Sequence, residues 1–316
     1  MKCLSLETND PFFNLSADEY LLKNREEDFL ILGSNDRSVI IGKHQVANRE
    51  ADARFVSENN IPVIRRISGG GTVFHDSGNL NFTIIRNSEP DKQVDFRRQT
   101  LPVIRFLSTL GVEAKFEGKN DLKVNGLKIS GNAEHVYRNR VLHHGTLLYD
   151  TLLEDLRSSI NRNRSCYTTR GVDSNPSPVT NFKDLISQVE GMQGLKSAMM
   201  EYFLRNDPDA LIYHLQPGEV SAINELAASK YRTWEWNYAY GPEYQFSNTF
   251  KIKGIPHTCR LFVRNGVIEE SEIEGSEVMS DAAGKLAGCR HMVDDLGKAF
   301  HENRILLDNM DIYNFF

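Results

Sequence analysis

Residues 65–82, RRISGGGTVFHDSGNLNF, place three consecutive glycines between two arginines and a histidine–aspartate pair. Three adjacent glycines are poor strand residues, because each loses much backbone entropy on folding and packs no side chain. We therefore predict a loop over residues 69–71, with positive φ angles or close backbone approach. Exposed N–H groups and the guanidinium groups of Arg65 and Arg66 suit an anionic ligand such as a carboxylate or phosphate. The alternative is a tight turn without a ligand.

Polar side chains follow the glycines at His75, Asp76, Asn79 and Asn81, which adds to the ligand-binding character of this stretch. The spacing is not that of a Walker A loop, because no Gly-Lys-Ser/Thr follows, and it is not Gly-x-Gly-x-x-Gly. The sequence therefore excludes P-loop and Rossmann nucleotide sites at this position.

A second cluster lies in residues 118–135, GKNDLKVNGLKISGNAEH. Asn120 and Asp121 precede a strand, and Lys128 follows an Asn-Gly hairpin turn. A carboxylate here could hold Mg²⁺ on a nucleotide phosphate, and a lysine supplies a compact positive charge to phosphate or carboxylate oxygens. Taken singly, Asp121 could only cap a turn and Lys128 could be a solvated strand residue. Taken together, the two clusters favour a ligand that carries several anionic groups.

Mixed helices and strands must position these clusters. We predict strands at residues 28–33, 38–43, 63–66, 81–86 and 141–150, and a pair of strands on the two sides of Asn125-Gly126. We predict helices over residues 15–23, 50–58 and 93–110, and Asn14 is predicted as the N-cap of the first helix. Residues 170–182 hold two prolines and several small polar residues, which is typical of a loop.

A second block begins near residue 250. We predict strands over 250–254, 257–264 and 267–274, a turn at Asn265-Gly266, and helices over 281–287 and 292–301. Trp234, Trp236, Tyr238 and Tyr240 alternate, so we predict a strand that packs at the domain junction. The boundary is placed at Gly241-Pro242, giving domains 1–242 and 243–316, and the fold class is α+β.

Length and composition limit the function classes. The chain has 316 residues, 40% hydrophobic and 25% charged, which fits a globular protein of two domains. A net charge of −6 argues against a broad nucleic-acid surface. The four cysteines lie far apart without Cys-x-x-Cys spacing, so reduced thiols in the cytoplasm are expected. We found no signal peptide or membrane-length apolar run, and predict a soluble protein without a membrane partner.

The motifs quoted above, together with NDPFFNLSADEYLL near the start and VLHHGTLLYD after the hairpin, resemble the lipoate-protein ligase A family in order and spacing. The resemblance covers most of residues 10–182. TWEWNYAYGP, residues 233–242, resembles the segment that joins the catalytic and accessory domains in the long members of that family.

This resemblance implies a mixed-sheet catalytic domain of the biotin/lipoate-protein ligase type, related to class II aminoacyl-tRNA synthetases, followed by a small α+β accessory domain. It implies that lipoate is activated with Mg-ATP to lipoyl-AMP and passed to a lysine of an acceptor. The implied acceptors are the lipoyl domains of 2-oxoacid dehydrogenase complexes and the glycine cleavage H protein, and no nucleic acid takes part.

The resemblance also implies the site residues. Lys128 would be the catalytic residue that contacts the reacting carboxylate and α-phosphate, and Asp121 would lie at the Mg²⁺. The implied lipoate- and ATP-binding residues are Arg66, Ser68, Gly69, Gly70, Gly71, Val73, Phe74, His75, Asn79, Asn120, Asp121, Lys128, Ser130, Gly131, Ala133 and His144.

Three other functions are weighed against the ligase. An octanoyl or lipoyl transferase would use a cysteine thioester without ATP, and Cys166 is the cysteine near the expected site. A biotin-protein ligase would carry a Gly-Arg-Gly-Arg type loop, where RRISGGG stands here. A noncatalytic binding or scaffold protein would make Lys128 and Asp121 incidental. Pyrophosphate release from lipoate and ATP distinguishes the ligase from the thioester transferase and the binding protein.

His143 and His144 are adjacent strand residues, so their side chains are predicted to point to opposite faces of a sheet. They are therefore unsuited to chelate one metal ion, and His144 is expected to be a wall residue or a hydrogen-bond anchor.

Overall fold

The computed structural model describes residues 1–88, 94–160, 163–305, 307 and 311–316. Its strands are β1 (Lys2–Ser5), β2 (Phe29–Gly33), β3 (Ser38–Ile41), β4 (Val63–Arg65), β5 (Val73–His75), β6 (Asn79–Asn87), β7 (Lys115–Glu117), β8 (Asp121–Val124), β9 (Leu127–Tyr137), β10 (Arg140–Leu148), β11 (Tyr167–Thr169), β12 (Leu211–Tyr213), β13 (Tyr244–Ile252), β14 (Ile255–Arg264) and β15 (Val267–Glu274). Its α-helices are α1 (Pro11–Asn24), α2 (Ala47–Glu50), α3 (Ala53–Glu58), α4 (Phe96–Thr109), α5 (Leu153–Ser159), α6 (Gly191–Asn206), α7 (Pro217–Leu226), α8 (Glu277–Ala283) and α9 (Val293–Glu302). Shorter helical turns occupy Arg164–Cys166, Lys183–Leu185, Ala227–Tyr231, Glu235–Ala239 and Asp311–Phe315.

The main sheet has the strand order β12-β1-β2-β6-β10-β9-β8-β7. Its strands β1, β2 and β12 are parallel to one another, and the remaining pairs are antiparallel. One face packs against apolar side chains of α4 and α6, and the other packs against α1. Because helices cover both faces, strands such as β2 are buried along their whole length.

A small sheet of order β4-β3-β5 carries the glycine loop. β3 pairs in parallel with β4 and antiparallel with β5, so residues 66–72 leave the end of β4 and return as β5. The three strands share a small core with α2 and α3, to which Phe74 and Ala47 contribute. The glycine loop is therefore fixed at both ends by a rigid, buried sheet.

A third sheet of order β11-β13-β14-β15 belongs to the second block. Its inner face packs against α8 and α9. The edge strand β11 comes from the first block and pairs with β13 through Tyr167 and Phe246. Val46, which precedes α2, is buried in the same core. The two blocks therefore share one hydrophobic core at their junction.

The first helix begins earlier than the sequence indicated. Asp10 is its N-cap, accepting a hydrogen bond from Phe12 N at 3.0 Å, with Pro11 in the first turn. Asn14 lies inside the helix, where its side chain donates to Asn35 Oδ1 at 2.7 Å and to the Ser34 carbonyl oxygen. The prediction of Asn14 as N-cap was wrong because this buried asparagine ties the helix to a neighbouring loop.

Three other predicted helices also have different bounds. The helix predicted over 50–58 is two short helices, because Asp52 N-caps the second by accepting from Phe55 N at 2.8 Å. The helix predicted over 93–110 is observed from Phe96, with Pro102 inside it, and Gln93 lies outside the described residues. The helix predicted over 281–287 is observed four residues earlier, at Glu277–Ala283.

The prediction of a strand at Trp234–Tyr240 is wrong. Residues Glu235–Ala239 form a wide helical turn, and Trp236 packs on Tyr240 with ring centroids 4.6 Å apart. Alternating aromatic residues mimic the strand period, but side chains four residues apart also meet on one face of a helix. Contacts of this segment with β4 favour the helical turn over a strand, since Trp236 Nε1 donates to the Arg65 carbonyl oxygen at 2.7 Å.

Both predicted Asn-Gly turns are confirmed. Asn125 and Asn265 have φ angles of 51° and 49°, and the following glycines, Gly126 and Gly266, have 79° and 70°. Positive φ at both central residues is the geometry of a type I′ hairpin turn. Among the described residues, no helix is long and apolar enough to cross a membrane.

Candidate active site

A cavity of about 770 Å³ lies over the main sheet, between the glycine loop and residues 172–178. We call residues 172–178 the lid loop. Both clusters singled out in the sequence reach this cavity, through Gly70 and Gly71 on one side and through Asp121 and Lys128 on the other. Segments that are far apart in the chain therefore form one site.

The cavity changes character across the sheet. Its wall includes Ile31 on β2, Thr83 on β6, His144 on β10, Ala133 on β9 and Asp121 on β8. These strands are consecutive neighbours, so the wall spans four strand spacings, roughly 19 Å. The β2 end adds apolar side chains from Leu15 and Ile40, whereas the β8 end adds Lys119, Lys123 and Lys128. The cavity therefore has apolar side chains at one end, beside the polar groups of Asn14, Asn35 and Arg66, and three lysines at the other.

The three glycines of the loop have different surroundings. Gly70 has a φ of +86°, and a Cβ there would lie 3.1 Å from Arg66 Nη2. A Cβ on Gly71 would lie 3.1 Å from Ser174 of the lid loop, whereas a Cβ on Gly69 would meet nothing within 4 Å. Gly70 thus lies close to Arg66, and Gly71 lies close to the lid loop.

Arg66 holds the glycine loop in shape. Its guanidinium donates to the carbonyl oxygens of Gly69 and Gly71 at 2.6 and 2.7 Å, and to Ser68 Oγ at 2.9 Å. Burial lowers the pKa of Arg66 to about 10, so the group stays protonated near neutral pH. The positive charge is thus surrounded by loop carbonyls on the cavity wall.

A hydrogen-bonded chain extends from Arg66 to α1. Ser68 Oγ lies 2.6 Å from His144 Nε2, and His144 Nδ1 lies 3.4 Å from Asp18 Oδ2. Asp18 also accepts from Thr83 Oγ1 at 2.9 Å. His144 is thus an anchor in the cavity wall, while His143 is buried on the opposite face and bonded to Glu134.

His75 is a buried, neutral wall residue. Burial, with smaller contributions from Arg66 and His144, lowers its pKa to about 3. The Asn35 amide nitrogen lies 2.8 Å from His75 Nδ1, and donation from that amide fits an unprotonated ring nitrogen. His75 therefore contributes shape and hydrogen bonding to the wall, and no charge, at neutral pH.

Lys128 forms an ion pair with Asp121, the carboxylate residue of the GKND stretch. Its Nζ lies 2.8 Å from Asp121 Oδ1, and the two side chains are 20% and 18% exposed. The missing side chain of Gly131 leaves room for the lysine, because a Cβ there would lie 3.1 Å from Nζ. Backbone hydrogen bonds from Lys128 N to the Pro178 carbonyl oxygen and from Thr180 N to the Lys128 carbonyl oxygen join this strand to the lid loop.

Ser174 fastens the lid loop to the glycine side of the cavity. Its Oγ accepts from Thr72 N at 2.8 Å and from Gln45 Nε2 at 2.9 Å, and it donates to Glu50 Oε2. Glu50 is fully buried and also pairs with Arg164. The Ser174 hydroxyl group is thus one of several attachments of the lid loop, which also include the Arg49–Asp173 ion pair and the hydrogen bond from Val172 N to the His44 carbonyl oxygen.

The structure brings most of the predicted site residues to the cavity. The wall includes Arg66, Gly70, Gly71, Val73, His75, Asn120, Asp121, Lys128, Gly131, Ala133 and His144. The others lie behind it. Ser68 and Asn79 are buried hydrogen-bonding partners, Phe74 packs in the small core, and Gly69 contributes a carbonyl group.

Ser130 is also behind the wall. It is fully buried and lies 3.3 Å from Asn132 Nδ2. The alternation of side chains along β5 places Val73 and His75 on the wall and Phe74 in the core.

Several wall residues were not predicted as site residues. Asp18 and Asn35 come from the first helix and a strand loop, and no local motif marks them. Asn81 and Thr72 belong to the glycine stretch, so their position could have indicated them. The lid loop had been predicted as a loop, and its small residues and prolines carry no direct sign of a ligand.

Cys166 does not line the cavity. Its Sγ lies 3.9 Å from Asn248 Oδ1, beside the core of the second block, and burial raises the pKa of its thiol. A raised pKa disfavours the thiolate that a thioester mechanism needs. Among the described cysteines, none is in a disulfide.

Asp121 is the carboxylate at the lysine-rich end of the cavity. Among the residues that the structure describes, no three His, Cys, Asp or Glu side chains are grouped as a metal cage. A Mg²⁺ that arrives on nucleotide phosphates needs only one or two protein carboxylates. The single carboxylate of Asp121 meets that requirement.

Comparisons with known proteins agree with this geometry. The family model for the lipoyl protein ligase A/B catalytic domain matches residues 10–204. Lipoate–protein ligase 1 of Staphylococcus aureus is 32% identical over 313 residues, covering 97% of this chain and 93% of the relative.

Two solved structures are each similar to three quarters of the chain. A lipoate-protein ligase A bound with ATP is 28% identical, with a TM-score of 0.64, and covers 75% of this chain and 97% of that one. The bipartite lipoate protein ligase of Thermoplasma acidophilum, described with its E2 lipoyl domain, is 27% identical, with a TM-score of 0.63, and covers 75% and 95%. The chain therefore belongs to the lipoate-protein ligase family of ATP-dependent ligases, with the α+β fold that the sequence motifs predicted.

Proposed function

We propose that the cavity binds lipoate and ATP together, and that Lys128 neutralises the reacting oxygens. The observation that carries this proposal is the Lys128–Asp121 pair at the lysine-rich end of a cavity whose other end includes the apolar side chains of Leu15, Ile31 and Ile40. The ring and hydrocarbon chain of lipoate fit that other end, near Ile31 and Ile40. The lipoate carboxylate and the ATP phosphates then lie toward β8.

The residues proposed to contact the two substrates are the predicted ones on the cavity wall. Arg66, Gly70 and Gly71 shape the wall beside the lid loop, and His75 contributes a neutral ring. Ser68, Gly69, Phe74, Asn79 and Ser130 support these residues from behind.

In the first half-reaction a lipoate carboxylate oxygen attacks the α-phosphorus of ATP. The bond from the α-phosphorus to the bridging oxygen of the β-phosphate breaks, and pyrophosphate leaves with the electron pair. This step brings two anions together, so a preorganised cation lowers the barrier by stabilising the charge in the transition state. Lys128 is a half-buried ammonium held in place by Asp121, and it needs little reorganisation to do this.

In the second half-reaction the uncharged amine of an acceptor lysine attacks the lipoyl carbonyl carbon. An amide bond forms, AMP leaves, and the amine loses a proton. Lys128 can again stabilise the oxygen on which negative charge develops. No protein nucleophile is needed, in agreement with the position of Cys166 outside the cavity.

Asp121 is proposed to hold the Mg²⁺ that accompanies ATP. When bound, the metal would neutralise phosphate charge. The carboxylate of Asp121 also orients the ammonium of Lys128 at 2.8 Å, so its removal would affect both the lysine and the metal.

The proposed acceptors are lipoyl domains of 2-oxoacid dehydrogenase complexes and the glycine cleavage H protein. The E2 lipoyl domain described with the Thermoplasma ligase supports the first class. A cytoplasmic location is proposed as well, and the free state of the four described cysteines supports it.

Substitution of Lys128 tests the mechanism. We expect Lys128→Ala to lose about two orders of magnitude or more in pyrophosphate release from lipoate and ATP, because a preorganised electrostatic contact is lost. Lys251→Ala is the control, since Lys251 is an exposed strand residue of the second block. Thermal melting checks the fold. A folded Lys128→Ala protein with near-wild-type adenylation would refute the role of this lysine.

Mass spectrometry tests the overall reaction. A purified lipoyl acceptor domain is incubated with the protein, lipoate and ATP, and ATP is omitted in a parallel sample. We expect a mass increase of one lipoyl group in the complete mixture alone. Modification without ATP would overturn the ligase mechanism.

A further inference from the structure

Three lysines stand side by side on neighbouring strands next to the active-site cavity. Lys115 of β7 is the direct cross-strand partner of Lys123 of β8, and Lys123 is the direct partner of Lys128 of β9. Residues opposite each other on antiparallel strands have their Cβ atoms about 5 Å apart, and like charges in this position destabilise a sheet. We call Lys115, Lys123 and Lys128 the lysine row.

Nearby carboxylates balance only part of this charge. Glu117 Oε2 lies 3.4 Å from Lys123 Nζ, and Asp121 Oδ1 lies 2.8 Å from Lys128 Nζ. The turn between β7 and β8 adds Lys119, so residues 115–128 hold four lysines and two carboxylates in a chain whose net charge is −6. The hairpin therefore carries a local excess of positive charge that an anion would offset.

The cavity shows where such an anion would lie. Lys119 and Lys123 line it together with Lys128, whereas Lys115 is exposed and is not part of the wall. Asn120 and Asp121 lie between the two additional lysines and also line the wall. The positive charge thus continues from Lys128 along β8 and its preceding turn.

We propose that Lys119 and Lys123 bind the β- and γ-phosphates of ATP and hold the pyrophosphate as it leaves. This inference rests on the proposed function, in which Lys128 contacts the reacting carboxylate and α-phosphate. When the bond from the α-phosphorus to the bridging oxygen breaks, the electron pair goes to the β-phosphate, and negative charge grows there. Lys123 is 23% exposed, and an ammonium group in a partly buried cleft stabilises that charge more than water does. Lys119 is exposed, so solvent and salt screen its contribution. Lysine suits this role because its compact charge and three donors tolerate both bound ATP and departing pyrophosphate.

The test compares kinetic constants of Lys119→Gln, Lys123→Gln and the double variant with those of the wild type. We expect the KM for ATP and the inhibition constant for pyrophosphate to rise about tenfold for Lys123→Gln, because one charge-assisted contact is lost, and by a smaller factor for the exposed Lys119→Gln. The KM for lipoate should move much less. Lys123→Arg should recover most of the affinity, because it keeps the charge.

Two matched controls separate phosphate binding from changes in the hairpin itself. Lys115→Gln removes a lysine of the same row that lies outside the cavity wall. Glu117→Gln removes the carboxylate partner of Lys123 while keeping the lysine. Neither control should raise the KM for ATP, and thermal melting of each variant checks the fold.

A comparison of half-reactions completes the test. Transfer from preformed lipoyl-AMP to an acceptor domain involves no pyrophosphate, so its rate should fall much less than the adenylation rate in the double variant. The proposal is overturned if the folded double variant keeps the wild-type KM for ATP, or if adenylation and transfer fall equally. Absence of pyrophosphate release from the wild type would instead refute the proposed function.

Discussion

Gly70 is the residue of the glycine loop whose backbone conformation most requires glycine. Its φ of +86° is unfavourable for residues with a side chain, and a branched one would also press on Arg66. We therefore expect Gly70→Val to abolish lipoate binding in calorimetry. Gly69→Ala is the matched control, because a Cβ there would meet nothing within 4 Å.

Thermal melting decides whether Gly70→Val fails through the loop or through the whole fold. A folded variant without lipoate binding supports close packing of the loop around the site. A folded variant that binds lipoate as well as the wild type would contradict it.

Cys166 separates a ligase from a thioester transferase. Because its thiol lies outside the cavity and burial raises its pKa, Cys166→Ala should keep ATP-dependent transfer close to the wild-type rate. Intact-mass analysis of the wild type with an acyl donor should give no adduct. An inactive, folded Cys166→Ala protein, together with an adduct that hydroxylamine removes, would support the transferase.

Continuous motifs indicated residues that the structure places at one cavity, and the roles of these residues there stay predictions. Arg66, His75, Asp121 and Lys128 were predicted from two short stretches, and the structure places all four on one cavity wall. Asp18 has no such motif, since it reaches the wall only because α1 packs across the sheet. Long-range packing of this kind leaves no local pattern in a single sequence.

The lid loop is the element on which closure of the cavity depends. Ser174→Ala would leave Thr72 N without its acceptor and would remove the hydrogen bond to Glu50, each lost contact costing about 1 kcal/mol or more. We expect faster proteolysis within residues 172–178, a higher KM for both substrates and a modest fall in the melting temperature. Ser187→Ala, at an exposed position after the lid loop, is the control. Unchanged protection of the loop in Ser174→Ala would argue against the latch.

At the level of elements, prediction succeeded where local chemistry is decisive. Asn-Gly pairs require positive φ angles, so both hairpins were predicted correctly. Residues 234–240 gave a period of two that is compatible with a strand, yet they form a helical turn. Arg65 favours this geometry, because its buried guanidinium donates to the carbonyl oxygens of Trp236 and Asn237 at 3.0 and 2.9 Å. A partner so distant in the chain cannot be identified from periodicity.

The whole molecule is held together by a core that crosses the predicted domain boundary. Val46 and Tyr167 belong to the first block, but they are 3% and 4% exposed in the same cluster as Tyr244 and Phe246. The strand β11 also forms an edge of the third sheet, which belongs to the second block. Burial of apolar surface is the largest favourable contribution to folding, so each block depends on the other for part of its stability.

We therefore expect residues 1–242, produced alone, to melt at a lower temperature than the full chain and to aggregate. Removal of residues 243–316 would expose Val46 and Tyr167 and leave β11 as an unpaired strand, which favours association with other chains. Co-expression of residues 243–316 as a separate chain should restore the melting temperature, and the two fragments should co-elute in gel filtration. Thr168→Pro in the full chain gives an independent check, because the exposed Thr168 lies opposite Gln245 in this three-residue strand and proline is poorly tolerated within a sheet; we expect its melting temperature to fall as well. A monomeric 1–242 fragment as stable as the full chain would show that the boundary at residue 242 separates two independently folding domains.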